Sequence, residues 1–177
     1  GINDDTLGDA TPTVSISVDD DNSDDNFDAL ADSAVAVTVT DDESAGFTLS
    51  ATAATIGENG DSTVVQVALT AEPVTDVVLT VVSSSTDEAG VDKATLTFAP
   101  GDWNIPQTVT VTAVNDDSLG DNAATVTIGV DADASDNDFD ALADQTFEAT
   151  LSDDDSAGFT LGLTAVDVNE DGGEVLF

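Results

Sequence analysis

The residues that could do chemistry are carboxylates, and they come in runs. Asp41-Asp42-Glu43 and Asp153-Asp154-Asp155 are unbroken. Asp116 and Asp117 precede Asp121, and Asp4 and Asp5 precede Asp9 at the same spacing. Glu58, Asp87, Asp131 and Asp133 stand outside these runs. Oxygen-only clusters suit hard divalent cations. Calcium takes about 6–8 oxygens in flexible geometry, whereas magnesium keeps more of its water. Two carboxylates ~4 Å apart repel by roughly 1 kcal/mol in water, and by several times more at an effective dielectric of about 20. Several together, without a counter-ion, cost a large part of the ~5–15 kcal/mol that a domain commands. The chain cannot neutralise them itself, because Lys93 is its single basic side chain. Of the 38 acids, 31 are Asp and 7 are Glu. Asp favours turns and clusters closely around a cation, whereas a coat serving only solubility would more often use Glu. The competing interpretation of the runs is a solvated acidic rim.

The composition excludes several functions. A net charge of −37 over 177 residues rules out electrostatic attraction to nucleic acid or to an anionic membrane face. The chain has no Cys and no His, which removes thiolate chemistry, disulfides, zinc or haem sites with their usual ligands, and Ser-His-Asp catalysis. No apolar run approaches the roughly 20 residues of a membrane span, so no membrane insertion is expected. Leu, Ile, Val and Phe make up about 26% of the chain, above the ~20% below which high charge signals disorder.

The chain repeats itself at an offset of 112 residues. Asn3-Asp4-Asp5-Thr6-Leu7-Gly8-Asp9 returns as Asn115-Asp116-Asp117-Ser118-Leu119-Gly120-Asp121. Phe27-Asp28-Ala29-Leu30-Ala31-Asp32 returns as Phe139-Asp140-Ala141-Leu142-Ala143-Asp144, and Ser44-Ala45-Gly46-Phe47-Thr48-Leu49 as Ser156-Ala157-Gly158-Phe159-Thr160-Leu161. Without gaps, residues 1–65 match 113–177 at 33 of 65 positions. Residues 1–43 are expected to end one repeat, 44–155 to make a complete one, and 156–177 to begin the next. Such a chain reads as a piece of a longer array. A unit of this size can carry its own core, so the repeats are beads on a string and not layers of a solenoid.

Apolar residues alternate with period two. Val109, Val111 and Ala113 interleave with Thr108, Thr110 and Thr112, and Phe147, Ala149 and Leu151 with Glu148 and Thr150. This pattern predicts half-buried antiparallel strands, near 46–56, 62–69, 76–83, 93–98, 107–114, 124–130 and 145–152. About seven short strands per repeat predict an all-β, immunoglobulin-like sandwich. Alternating strand directions then sort the loops. The turn with Glu58 and Asp61, the loop with Asp87, Glu88 and Asp92, the loop with Asp116, Asp117 and Asp121, and the run 153–155 all fall at the lower end. Asp41, Asp42, Glu43, Glu72, Asp76, Asp102 and the acidic loop 131–144 fall at the upper end. Distant carboxylates thus converge at the junctions between beads.

The upper loop Asp131-Ala132-Asp133-Ala134-Ser135-Asp136-Asn137-Asp138 has the spacing of the start of an EF-hand loop, without its central Gly and closing Glu. It is either a second cation site, through Asp131 and Asp133, or a plain acidic loop. Phe139 and Leu142 are expected to pin it to the core, and Trp103 to anchor the loop before the fifth strand. Paired acids such as Asp116-Asp117 could belong to a glycosidase, but their recurrence in every bead argues for architecture, so no enzyme activity is expected.

Several motifs resemble those of Calx-beta repeats. Val39-Thr40-Asp41-Asp42-Glu43-Ser44-Ala45-Gly46-Phe47 is similar to that family's acidic junction, and Glu58-Asn59-Gly60 to its Glu-x-Gly turn. Ala94-Thr95-Leu96-Thr97-Phe98-Ala99-Pro100-Gly101 resembles its Gly-x-Leu-x-Phe-x-Pro-Gly stretch, and 115–121 its Asp-Asp-x-x-x-Glu-Gly-Asp loop. Phe98 to Val111 is similar to tandem repeats of giant bacterial surface adhesins. The resemblance implies tandem Calx-beta-like antiparallel sandwiches binding calcium (Ca2+) at one end. It carries Glu58, Asp87, Asp116, Asp117, Asp121 and 153–155 over as ligands, the set that strand direction also brings together. The sequence departs from the family in having Asp121 for Glu and in lacking an Asp-Tyr pair after the third strand.

The function expected is that of a calcium-rigidified extender in an extracellular adhesin or fibre on a bacterial surface, with neighbouring repeats of the same chain as its partners. One alternative is a self-assembling filament or surface-layer subunit, in which copies of the chain exchange strands. The other is a module that binds a glycan or protein through loops 99–106 and 131–144.

Overall fold

The computed structural model describes residues 5–162 together with Glu170. Eleven strands are found among them: β1 (Thr13–Ile16), β2 (Ser33–Ala36), β3 (Phe47–Leu49), β4 (Ala53–Gly57), β5 (Ser62–Leu69), β6 (Val77–Ser83), β7 (Ala89–Val91), β8 (Thr95–Phe98), β9 (Gln107–Ala113), β10 (Asn122–Val130) and β11 (Gln145–Ser152). No helix among the described residues is long and apolar enough to cross a membrane.

Strands β3 to β11 build an immunoglobulin-like β-sandwich. One sheet has the order β4-β11-β10-β6-β8 and the other β3-β5-β9-β7. The period-two alternation is what allows this. In β9 Val109, Val111 and Ala113 are buried between more exposed threonines, and in β11 Phe147, Ala149 and Leu151 face in while Glu148 and Thr150 face out. Phe98, Phe139 and Phe147 are the largest fully buried apolar side chains, and Trp103 and Leu142 pack against the same core. Phe139 and Leu142 therefore pin the long upper loop, and Trp103 anchors the loop before β9, as expected from their apolar character among acids.

Two expectations need correction. The single strand placed at 46–56 is two strands in different sheets: β3 pairs antiparallel with β5, and β4 pairs parallel with β11. Between them Gln66 N–H donates to Ser50 Oγ at 2.9 Å, which ends the first pairing without reversing the chain. Residues 89–91, expected in a loop, form β7 on the free side of β9. Neither change alters the direction of travel, because β3 and β4 run one way and β7 and β8 the other. The sorting of loops into two ends therefore holds except for Asp92, which follows β7 and lies beside the middle of β9, where its Oδ1 accepts from Thr110 N–H at 2.7 Å.

The segment before the sandwich forms a separate two-stranded sheet. β1 pairs with β2 in the register Thr13↔Ala36 to Ile16↔Ser33. Shifted by 112 residues, this is the register Thr125↔Glu148 to Ile128↔Gln145 of β10 with β11. The same sequence pattern has produced the same hairpin. Its apolar face is bare: Phe27 is 54% exposed where Phe139 is 0% exposed, and Val14, Ile16 and Leu30 are likewise exposed.

Candidate metal centre

The turn from β4 to β5 carries Glu58, and Gly60 closes it with φ +91°, a conformation that L side chains rarely adopt. Glu58 N–H donates to Ser152 O at 3.0 Å, which ties the turn to the end of β11 and so to the run 153–155. Asp116 N–H donates to Glu58 Oε1 at 3.4 Å, which ties it to the loop after β9. Glu58 is 1% exposed, and its Oε2 is buried with no hydrogen-bond partner. Burial pushes its carboxyl above the usual carboxylate range, and the nearby charges of Asp116, Asp153 and Asp155 push the same way.

Asp155 has the same character. Its amide donates to Asp153 Oδ1 at 2.8 Å, while its own Oδ2 is buried without a partner. Burial raises its pKa, helped by Asp117, Asp153, Asp154 and Asp116. Asp153 is held in place from two sides: Gly120 N–H donates to its Oδ2 at 2.7 Å, and its own amide donates to Asp121 Oδ1 at 3.0 Å. Asp116 Oδ1 accepts from Ser118 N–H. Asp117 and Asp154 are exposed. Structure thus brings Glu58, Asp116, Asp117, Asp121, Asp153, Asp154 and Asp155 to the lower end.

The loop after β6 also reaches this end, because Val114 N–H donates to Glu88 O at 2.8 Å. Asp87 is exposed there. Its neighbour Glu88 instead has a buried, unpartnered Oε2. Sequence reasoning put Glu88 in the right loop but passed over it as a ligand. A turn at 85–89, closed by Ala89 N–H to Ser85 O at 3.0 Å, breaks the alternation that would have aimed Asp87 inward. The one basic side chain is spent elsewhere, with Lys93 Nζ donating to Thr108 O.

The same constellation recurs 112 residues earlier. Gly8 N–H donates to Asp41 Oδ2 at 2.7 Å, Asp41 N–H to Asp9 Oδ1 at 2.9 Å, and Glu43 N–H to Asp41 Oδ1 at 3.2 Å. Asp41, Asp42 and Glu43 can bring one carboxylate oxygen each within 4.8 Å of one another, and no other group of three acids among the described residues is as tight. The Glu43 carboxyl bonds to Asp41, which raises the pKa of Glu43 and, with the Gly8 amide, lowers that of Asp41. Asp4 lies outside the described residues. Asp5 is exposed and presents its carbonyl oxygen to Glu72.

Asp131 and Asp133 sit at the opposite end of the sandwich. Asp131 N–H donates to Val78 O at 2.9 Å, and Asp133 is exposed. The buried acid of that loop is Asp136, 7% exposed. Its Oδ2 accepts from Val74 N–H at 2.6 Å and Thr75 N–H at 2.9 Å, and its Oδ1 from Asp138 N–H at 3.1 Å. Burial raises its pKa, but the three amides together outweigh burial and leave it below the usual range. Asp136 is a loop clamp satisfied by protein donors, unlike Glu58.

No protein-family model matches the chain, and neither does any curated protein. Among solved structures it is similar to SSP-19, an MSP-domain protein-like family member of Caenorhabditis elegans, at 18% identity and TM-score 0.43, over 60% of this chain and 99% of that one. It is similar to the periplasmic chaperone SfaE at 8% identity and TM-score 0.48, over 62% of this chain and 58% of the chaperone. It is also similar to domains 4 and 5 of the S-layer protein SbsC at 18% identity and TM-score 0.42, over 68% of this chain and 59% of that one. At these identities and scores the likenesses say nothing about activity or partners. By its own sheet topology, the chain is an all-β protein of the immunoglobulin-like sandwich class.

Proposed function

We propose that this chain is a calcium-rigidified structural segment of an extracellular bacterial adhesin or surface fibre, made of tandem Calx-beta-like sandwiches that extend and space. The observation that carries this reading is Glu58, a carboxylate 1% exposed whose Oε2 has no partner. A buried charge is tolerated when it is paired or coordinates a metal. Glu58 faces Asp116, Asp153 and Asp155, and no cationic side chain among the described residues is there to answer it. Glu88 and Asp155 each add a buried, unpartnered oxygen at the same end. A donor set made only of carboxylate oxygens fits calcium better than softer metals.

Glu58, Glu88, Asp116, Asp117, Asp153 and Asp155 would hold the cation at the lower end. Asp5, Asp9, Asp41, Asp42 and Glu43 would do so one repeat earlier. Bound calcium supplies positive charge and oxygen coordination, and the acidic loops then hold their arrangement without mutual repulsion. The division into 1–43, 44–155 and 156–177 is part of the proposal. It is supported by the shared register of the two hairpins and by the paired hydrogen bonds at Gly8 and Gly120. Recurrence of the acids at both junctions favours architecture over catalysis.

The apolar face of the β1–β2 hairpin matches the one that β10 and β11 bury against the rest of their own sandwich; in a second reading, self-assembly, the strands that cover Val14, Ile16 and Phe27 come from another copy by exchange. Light scattering against calcium concentration separates the two, since growth of particles indicates assembly. Thermal melting tests the first reading: chelation lowers the melting temperature, and calcium restores it better than sodium at equal ionic strength. Equal rescue by sodium would leave only charge screening.

A further inference from the structure

We propose that neighbouring sandwiches of this chain are joined by a metal-independent clip, in which the loop at residues 5–7 docks on the upper rim of the following sandwich at Glu72. Thr6 and Glu72 form a parallel β-bridge, and Glu72 N–H donates to Asp5 O at 2.8 Å. Leu7, ahead of β1, is partly buried and packs against the core of the sandwich that follows. Main-chain groups and one apolar side chain make this contact, so it needs no cation.

The rim is itself tied to the junction. Thr70 N–H donates to Gly46 O at 2.9 Å, and Thr70 Oγ1 donates to Ser44 O at 3.1 Å. A Cβ at Gly46 would come within 2.7 Å of Thr70 Oγ1, so the close approach uses the missing side chain. Asp41, just before this stretch, accepts from Gly8, the residue after Leu7. The contacts close a ring: 5–7 to Glu72, 70 to 44–46, back through 41–43 to Gly8. The clip fastens the 5–7 side of this ring without a cation, while the 41–43 side, where calcium would sit, stays repulsive until the ion binds, so the hinge loses its freedom only when both sides are held.

The repeat extends the inference. Leu119 occupies the position of Leu7 in a loop that differs only in having Ser118 for Thr6, yet is 61% exposed. The partner that this loop fits is the rim of another sandwich of the same kind, carrying a counterpart of Glu72.

Amide hydrogen exchange of Glu72, read by NMR in the whole chain, tests the clip. Protection is expected with calcium and with chelator alike. Leu7→Ser is expected to lower it by about tenfold, as loss of a partly buried leucine implies. Leu119→Ser, the same change in the undocked loop, should leave it unchanged, and β5 and β9 amides should stay protected in both variants as the check on folding. Exchange of Glu72 at the rate of a free amide, or equal protection in Leu7→Ser and Leu119→Ser, would overturn the clip. Protection lost in chelator alone would overturn its independence of metal. Failure of the calcium reading shows separately, as an absence of calcium-induced shifts at Gly120 and Asp153.

Discussion

Gly120 gives its amide to Asp153 Oδ2 at 2.7 Å, and 112 residues earlier Gly8 gives its amide to Asp41 Oδ2 at the same 2.7 Å. Both glycines have positive φ, +110° and +108°. The bond fastens the loop after β9 to the segment leaving β11, and it aims two acidic stretches at one another. Only a residue without a Cβ adopts this backbone at little cost.

Gly120→Ala is therefore expected to destabilise the chain by about 1–2 kcal/mol, from backbone strain alone. Nothing lies within 4 Å of a Cβ built there, so steric overlap adds nothing. Gly90→Ala, equally open but without positive φ, should be near neutral. Chemical denaturation of both variants checks the contrast.

Glu58→Gln separates a metal ligand from a structural acceptor. Removing a buried, unpartnered charge is expected to raise stability in chelator and to weaken calcium binding by about tenfold or more. Asp116→Asn with Asp153→Asn should also weaken binding strongly, while Asp28→Asn, far from the lower end, should not. Titration calorimetry and melting in chelator read both effects. A variant less stable in chelator, with calcium affinity intact, would mark Glu58 as structural.

Most strand positions and both ends of the sandwich were legible because side-chain alternation and turn residues are local signals. The split of the first strand into β3 and β4 was not, because a chain that changes sheets without reversing direction needs no Gly or Pro turn. β7 escaped because Ala89-Gly90-Val91 is too short to show a period. The carboxylates at the lower end were placed by strand direction alone. The choice between Asp87 and Glu88 turned on a local turn at 85–89 that the sequence pattern does not encode. Asp136 looked like its acidic neighbours in sequence, and only the convergence of three amides on it reveals a clamp. The docking of Leu7 was hidden because its loop reads as acidic and its contact lies in the next repeat.

Glu88→Gln is accordingly expected to reduce calcium affinity more than Asp87→Asn does. Parallel titrations of the two variants check the ranking. The reverse ranking would return the ligand to Asp87.

Stability without divalent cations should depend on pH in a particular sense. Glu58 and Asp155 have raised pKa values in the folded chain, from burial first and then from neighbouring carboxylates. A raised carboxyl binds its proton more tightly when folded, so protonation favours folding. In chelator, the melting temperature should therefore rise as the pH is lowered from neutral toward the ordinary carboxylate value of about 4. Below that value the sign reverses. Asp136, whose amide donors outweigh its burial, and Asp92, held down first by the Thr110 amide, have lowered pKa values and lose their contribution as they protonate. With calcium present the rise toward acid should disappear, because protons and the cation compete for the same oxygens. Calorimetric melting across the acid range, with and without calcium, reads these signs.

The most direct measurement is a high-resolution crystal structure from calcium-replete protein, with anomalous scattering to locate the ions. The expected result is calcium held among Glu58, Asp116, Asp153 and Asp155, with the buried oxygens of Glu58 and Asp155 in its coordination shell. Those carboxylates turned to bulk water in such a crystal, with no ion among them, would contradict the proposal that cations stiffen this chain.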